Sequence, residues 1–475
     1  MRRSLAFATL AALLAAPLPA EASTDPGHTP SPAHGRSPDT ITVDGRTHFT
    51  DDDGRVIKLR GFNAGKWATD RVTEADVRAM ADKGMNFLRL IVQWQYIEPQ
   101  KDVYDQEYLS YVDRVLGWAD RYGLQVMIDM HQDVYGPKFG GHNGIPEWAT
   151  RDDGLPFERN PDDWFQDYFQ PAVMAAFEHL YEDADLRAEQ VEMWQTLVRK
   201  VSGHRSLLGY DLFNEPFGKF LEGEDLVTAS GRIERTQLAD MYRRLIAGIR
   251  AYDRKSWIFV EPTVLVGEGV PTQLPAFDDP KVGYAPHMYS TSVEAGGDWD
   301  PASGFIERYE AAIGQYPTAN RMPVVVGEWG PPNSRLPGNR QLVTGSVAAM
   351  NRFASGWAMF YWCRSDSGGY CQLDGRGNVA PGAEPALAAY ARRVAGLPVS
   401  ESYDAAARKL TLTYTTRRGV HAPTEISVPK EFFPRGVRVK VTGVRSATTS
   451  HRNGLLKVAV RARPGTAVTV TVTPR

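Results

Sequence analysis

Glu215 and Glu328 each follow a short apolar run: residues 207–213 lead into Asn214-Glu215-Pro216, and residues 324–326 into Gly327-Glu328-Trp329-Gly330. Short apolar runs of this kind read as buried strands of a parallel sheet. A carboxylate placed where a parallel strand ends is where a (β/α)8 barrel keeps its chemistry. Two of them on different strands suit cleavage of a glycosidic bond, which takes one proton donor and one nucleophile or base. In that scheme Glu215 is the acid/base, and Asn214 beside it can meet a sugar hydroxyl. Glu328 is the nucleophile, kept ionised by Arg89 near the end of the second strand and by Tyr289 just after the sixth.

Other polar residues at strand ends are weighed against blander roles. Glu261, in Val260-Glu261-Pro262, lacks the context of the first two and reads as a supporting group. Asp129 and Asp211 lie inside apolar runs and read as structural hydrogen-bonding groups. His131 and Asp133, two apart, point the same way on an extended chain, as a substrate-binding pair would. A metal reading of that pair lacks a third ligand. Hydrolysis by two carboxylates needs neither metal nor cofactor, and none is expected. His287 ends the sixth strand, where substrate binding competes with a satisfied buried imidazole. Trp362, at the end of the eighth, suits a sugar platform, with core packing as the alternative.

These residues need a scaffold, and the chain alternates accordingly. Residues 86–92, 124–130, 257–260, 283–285 and 359–362 read as further strands. Helical faces occur at Leu109, Val112, Leu116 and Ala119, at Val191, Trp194 and Val198, and near 235–252, 306–313 and 341–354. Thr73-Glu74-Ala75-Asp76 looks like a helix start. Asp53-Gly54 marks a hairpin between 47–49 and 56–59. Counting from Leu59 there are eight strands, which predicts an α/β fold, a (β/α)8 TIM barrel. From about residue 398 the texture changes to strict Val/Thr alternation, as at 410–415 and 468–473, which predicts a C-terminal antiparallel β-sandwich domain. The barrel is assigned residues 39–397 and the sandwich 398–475.

Composition narrows the class. A formal net charge of -3 gives no sign of a nucleic-acid surface. Arg2 and Arg3 precede an apolar stretch and Ala20-Glu21-Ala22, so residues 1–22 read as a signal peptide and 23–38 as a disordered leader. A secreted, extracellular protein is expected. Export permits a disulfide between the two cysteines, Cys363 and Cys371; two unpaired thiols are the alternative.

Several further motifs sharpen the picture. His131-Gln132-Asp133-Val134-Tyr135, Asn143-Gly144-Ile145-Pro146-Glu147-Trp148-Ala149 and Gly154-Leu155-Pro156 resemble the endoglycoceramidases of glycoside hydrolase family 5. So do Lys66 after Arg60-Gly61-Phe62-Asn63, Trp164 before Tyr168-Phe169-Gln170-Pro171, and Asn214-Glu215-Pro216-Phe217-Gly218. The resemblance implies a retaining hydrolase that frees a whole oligosaccharide from ceramide in glycosphingolipids, with glucosyl-linked ceramide favoured over galactosyl-linked. It implies sugar-binding roles for Lys66, His131, Asp133, Trp164, Asn214, Tyr289 and Trp362. A lipid substrate asks for an apolar slot, expected from Phe139, Ile145, Trp148, Phe165, Phe217 and Phe220. The expected working form is a monomer that touches membrane or micelle surfaces transiently. Rival readings are an endogalactosylceramidase of the same family, a β-glucanase with an open polar groove, and a non-catalytic glycolipid-binding protein.

Overall fold

The computed structural model describes residues 37–475. The expected signal peptide and nearly all of the leader lie outside the described residues. The leader's last residue, Pro38, accepts the Trp257 indole N–H on its carbonyl at 2.9 Å.

Eight parallel strands form the barrel: Leu59–Ala64, Phe87–Val92, Gln125–Met130, Leu207–Asp211, Trp257–Val260, Val282–Tyr284, Val325–Val326 and Gly356–Met359. Strand 8 pairs with strand 1, and a parallel bridge from Tyr284 to Val324 joins strands 6 and 7. The helices between them start on local signals. Thr73 caps helix Glu74–Asp82 in a reciprocal box with Asp76, and Asp105 caps Gln106–Tyr122, which Gly123 ends in the left-handed conformation. Inside the barrel, backbones approach closely. A Cβ on Gly61 would sit 1.8 Å from the Phe87 carbonyl oxygen, and one on Gly209 2.2 Å from that of Trp257.

An apolar layer supports the site. The lower barrel interior is filled by Leu59, Phe87, Met127, Leu208, Trp257, Phe259 and Val325, with Phe49 packed edge-on to Trp257 at 5.1 Å. Arg89 and Asp129, each two residues further along their strands than Phe87 and Met127, begin the polar layer above.

The eighth strand ends earlier than residues 359–362 suggest. It spans Gly356–Met359, so Trp362 lies in the following loop. The run Trp357–Trp362 is apolar throughout, and hydrophobicity alone does not mark where pairing stops.

The second unit is a sandwich of a seven-stranded and a four-stranded sheet around Leu410, Leu412, Tyr414, Ile426, Val458, Val468, Val470 and Val472. Its extent differs from 398–475. Strands Asp39–Val43, Arg46–Thr50 and Val56–Ile57, read with the barrel, form one end of the larger sheet, where Val56 pairs with Val394 of strand Tyr390–Val394. Strand Gly396–Asp404 crosses the assigned boundary. Pattern identifies a strand but not its long-range partner.

Candidate active site

Glu215 follows strand 4 and Glu328 follows strand 7, and both are buried, at 8% and 5% exposure. One carboxylate oxygen of each lies within 4.8 Å of the other, with a ring nitrogen of His287 inside the same radius. His287 Nδ1 is 2.9 Å from Glu215 Oε1 and 4.0 Å from Glu328 Oε2.

The surroundings push the two acids apart. Burial raises the pKa of Glu215, and the negative charges of Glu328 and Asp133 add to it, against the opposing pull of His287. Burial acts on Glu328 too, but His287, Arg89, His131 and Lys66 outweigh it and hold this carboxyl below its ordinary range. Arg89 donates from Nη1 to Glu328 Oε1 at 2.6 Å, and Tyr289 donates its hydroxyl to Oε2 at 3.0 Å. The surroundings thus favour a proton on Glu215 over one on Glu328, the asymmetry that an acid/base and a nucleophile require.

Arg89 organises the barrel interior. Fully buried, it also contacts Asp129, Asp211 and Glu261 at 2.7–2.9 Å and donates to Asn63 and Asn214. Burial raises Asp211 well above the usual carboxylate range, and Glu261 and Asp129 beside it do the same.

Beside the pair, Lys66 Nζ is 2.7 Å from Asp133 Oδ2, which also receives the Asn143 amide at 2.7 Å. His131 Nδ1 lies 2.8 Å from Asp129, and its Nε2 lies 3.5 Å from Asp133. Burial opposes the charge on His131, but Asp129 and Asp133 raise its pKa to about 9. Asn214 is fully buried, with Oδ1 accepting from Arg89 and Nδ2 donating to the Gln132 carbonyl. One hydrogen on Nδ2 remains for a sugar hydroxyl. Trp362 packs on Phe62 and donates its indole N–H to Asp76 at 3.1 Å.

Trp164 is set apart. It is 42% exposed in the insertion after strand 3, with its ring near His142 and Tyr168 and none of its ring contacts on the carboxylates. The expected apolar slot also changes. Phe139, Ile145 and Phe217 are 1–3% exposed, and Trp148 packs on Trp94 while donating to the Glu98 carbonyl. These side chains are loop core. Phe165 and Phe220 are half-buried, and Leu155 and Leu221 in the same two loops are exposed.

Cys363 and Cys371 are joined as a disulfide. The loop they close carries Tyr370, which donates to Glu294 and whose ring stands 6.3 Å from that of Tyr289. Burial, together with the charges of Glu215 and Glu328, raises Glu294 to about 8 even though Tyr370 opposes it.

Gln132 escaped notice in the sequence because it points away from His131 and Asp133. Its Nε2 donates to the carbonyls of Asn214 and Glu215 at 2.8 and 2.9 Å. Its Oε1 accepts from the Tyr135 amide at 2.7 Å. Those bonds brace Glu215, whose φ of 44° is costly for a residue with a side chain. A polar residue inside His-x-Asp is the only signal that could have found it. A second acidic group of three, Glu98, Asp102 and Glu189, is already engaged: Lys101 pairs with Glu189 at 3.0 Å, and the Trp94 indole and Asp102 amide bond Glu98.

A parallel eight-stranded barrel that holds two facing carboxyls with opposite pKa shifts at its C-terminal mouth has the fold and site of a glycoside hydrolase. Residues 50–367 match the cellulase (glycosyl hydrolase family 5) model, and residues 389–472 match the glycoside hydrolase family 5 C-terminal domain. The chain belongs to glycoside hydrolase family 5. It is 26% identical over 435 residues to endoglycoceramidase I of Rhodococcus hoagii (strain 103S), covering 85% of this chain and 82% of that one. It is 27% identical over 241 residues to the endoglycoceramidase of Cyanea nozakii, and the match takes in 46% of this chain and about half, 48%, of that protein's length. A solved structure of endo-glycoceramidase II from Rhodococcus sp. in complex with ganglioside GM3 superposes with a TM-score of 0.79 at 32% identity, over 90% of this chain and 100% of that one.

Proposed function

We propose that the protein is a secreted retaining endo-β-glycosidase that cleaves between oligosaccharide and ceramide in glycosphingolipids, with glucosyl-linked ceramide favoured. The observation that carries the reading is the separation of Glu215 and Glu328 together with the opposite directions in which their pKa values are pushed. A spacing under 4.8 Å leaves no room for a water between the carboxyls, as an inverting reaction at about 6.5–9.5 Å would need. Glu328 attacks the anomeric carbon while Glu215 gives its proton to the departing oxygen. Glu215, now ionised, then takes a proton from the water that releases the sugar.

The ceramide part rests on the similarity to endoglycoceramidases and on the half-buried Phe165 and Phe220 with exposed Leu155 and Leu221 in the loops after strands 3 and 4. We assign the glycan to the polar side, at Lys66, His131, Asp133, Asn214 and Trp362, with Trp164 meeting an outer sugar. Incubation with lactosylceramide, a ganglioside, a galactosylceramide and a soluble β-glucan separates the readings. Free ceramide with intact oligosaccharide from the first two is expected. Cleavage of the glucan alone makes the protein a glucanase, cleavage of galactosylceramide alone makes it the galactosyl-specific relative, and tight lipid binding without any product makes it a carrier.

A further inference from the structure

Glu261, just beyond strand 5, is 1% exposed and closes a ring of contacts around Glu215. Its Oε2 accepts the backbone N–H of Glu215 at 2.8 Å. Its Oε1 lies 3.3 Å from His287 Nε2, and His287 Nδ1 lies 2.9 Å from Glu215 Oε1. One carboxylate therefore bonds the Glu215 backbone directly and lies beside the imidazole that meets the Glu215 side chain. The backbone grip falls on the residue with φ of 44°, a conformation that persists only where its surroundings over-determine it. Arg89 Nη2, at 2.7 Å, anchors Glu261 in turn.

We propose that Glu261 is a positioning residue for leaving-group protonation, fixing both the backbone conformation of Glu215 and, through His287, the orientation of its carboxyl. The inference rests on the assignment of Glu215 as the acid. A plain counter-ion to Arg89 is the competing role. It explains neither the bond to the Glu215 amide nor the imidazole held between two carboxylates, and Asp129, Asp211 and Glu328 already face Arg89.

The charge balance yields a second signature. Arg89, Asp129, Asp211 and His287 face Glu261 from strands 2, 3, 4 and 6, while His287, Glu328 and Asp133 act on Glu215. Glu261→Gln keeps the shape and removes one negative charge from this group. That charge is the largest one holding a proton on His287, which stands 2.9 Å from Glu215, so the alkaline limb of kcat/KM is expected to move.

The test uses soluble β-lactosides with a dinitrophenyl or an alkyl aglycone, so it does not depend on any preference for ceramide. Glu261→Gln is expected to lose about 10²-fold on the alkyl glycoside, the scale of a displaced general acid, and far less on the dinitrophenyl one. Glu261→Asp keeps the charge and should leave the alkaline limb in place while lowering the rate. His287→Gln should reproduce the leaving-group dependence with the bond to the Glu215 amide retained, and it carries the test if Glu261→Gln fails to fold. Equal losses on both aglycones with an unmoved alkaline limb overturn the proposal. If Glu215→Ala itself shows no leaving-group dependence, the acid assignment has failed instead.

Discussion

Tyr289 donates to Glu328 Oε2, the oxygen that Arg89 leaves free, so Glu328 is bonded at both oxygens before any sugar arrives. Donors to the ionised form lower a carboxyl pKa. Tyr289→Phe should therefore raise it and move the acidic limb of kcat/KM to higher pH. Hydrogen bonds to charged groups contribute about 1.5–3 kcal/mol, so a loss of roughly tenfold or more is expected at neutral pH. A pH–rate profile of the variant checks both, and an unmoved acidic limb would remove Tyr289 from this role.

Glu328→Gly should abolish hydrolysis yet leave a site that couples an α-configured glycosyl fluoride to an acceptor, because Glu215 is intact. Glu215→Ala should retain most activity on dinitrophenyl glycosides and lose about 10²–10⁴-fold on natural lipids. Product analysis and a leaving-group series read the two outcomes. Equal losses on every leaving group would contradict the division of labour.

Stability should depend on the charge of His131. Its folded pKa, raised to about 9, lies above the unfolded value, so the stabilisation is complete below about pH 6.5 and disappears as pH rises through about 9. Asp133 has the opposite sign: Lys66 and His131 outweigh its burial and depress it, so its contribution holds above the usual carboxylate pKa and is lost only well into acid. The gap in melting temperature between wild type and His131→Gln should be large at pH 6 and shrink towards pH 10. Comparing the pair cancels the contrary trend of buried Lys58, lowered to about 8 chiefly by desolvation. A gap that grows with pH would reverse the sign argued here.

Leu221 is 50% exposed and Phe220 half-buried next to it. Leu221→Ser should cut kcat/KM on micellar lactosylceramide several-fold and leave a soluble aryl lactoside unaffected, since a methylene withdrawn from water contributes about 0.8 kcal/mol. Phe217→Ser, by contrast, should lower the melting temperature with both substrates affected, because Phe217 is 3% exposed and packs on Tyr168 and Phe169. Equal losses on lipid and aryl substrate for Leu221→Ser would remove this rim from lipid binding.

The barrel was legible because its signals are local. Short apolar strands, the Thr73 cap and the acids after strands 4 and 7 each declare themselves within a few residues. Arg89 and Tyr289 could be paired with Glu328 because strand ends converge in a barrel. The Arg89 cluster was less legible: Asp129, Asp211 and Glu261 read separately as supporting groups, and only the inward turn of adjacent strands brings them to one guanidinium. Phe139, Ile145 and Phe217 looked like a lipid slot because a large apolar residue in a loop has the same spelling whether it faces a ligand or its neighbours. Strand Ser446–Arg452 left no trace, since every residue in it is exposed and no alternation marks a face.

The larger sandwich sheet joins strands Asp39–Val43, Arg46–Thr50 and Val56–Ile57 to strands that lie more than three hundred residues later. During synthesis those three strands emerge first and find their partner, Tyr390–Val394, only after the whole barrel has left the ribosome. Until then Val56 has an open edge, and closing the loop between the pairing segments is a late, slow event. The two units are thus stitched rather than strung. A C-terminal fragment beginning at residue 398 would lack Tyr390–Val394 and all three early strands, and a barrel cut at 397 would expose the apolar faces of Ile41, Val43 and Val56. Folding of the intact chain then depends on that first edge staying available until Tyr390–Val394 arrives.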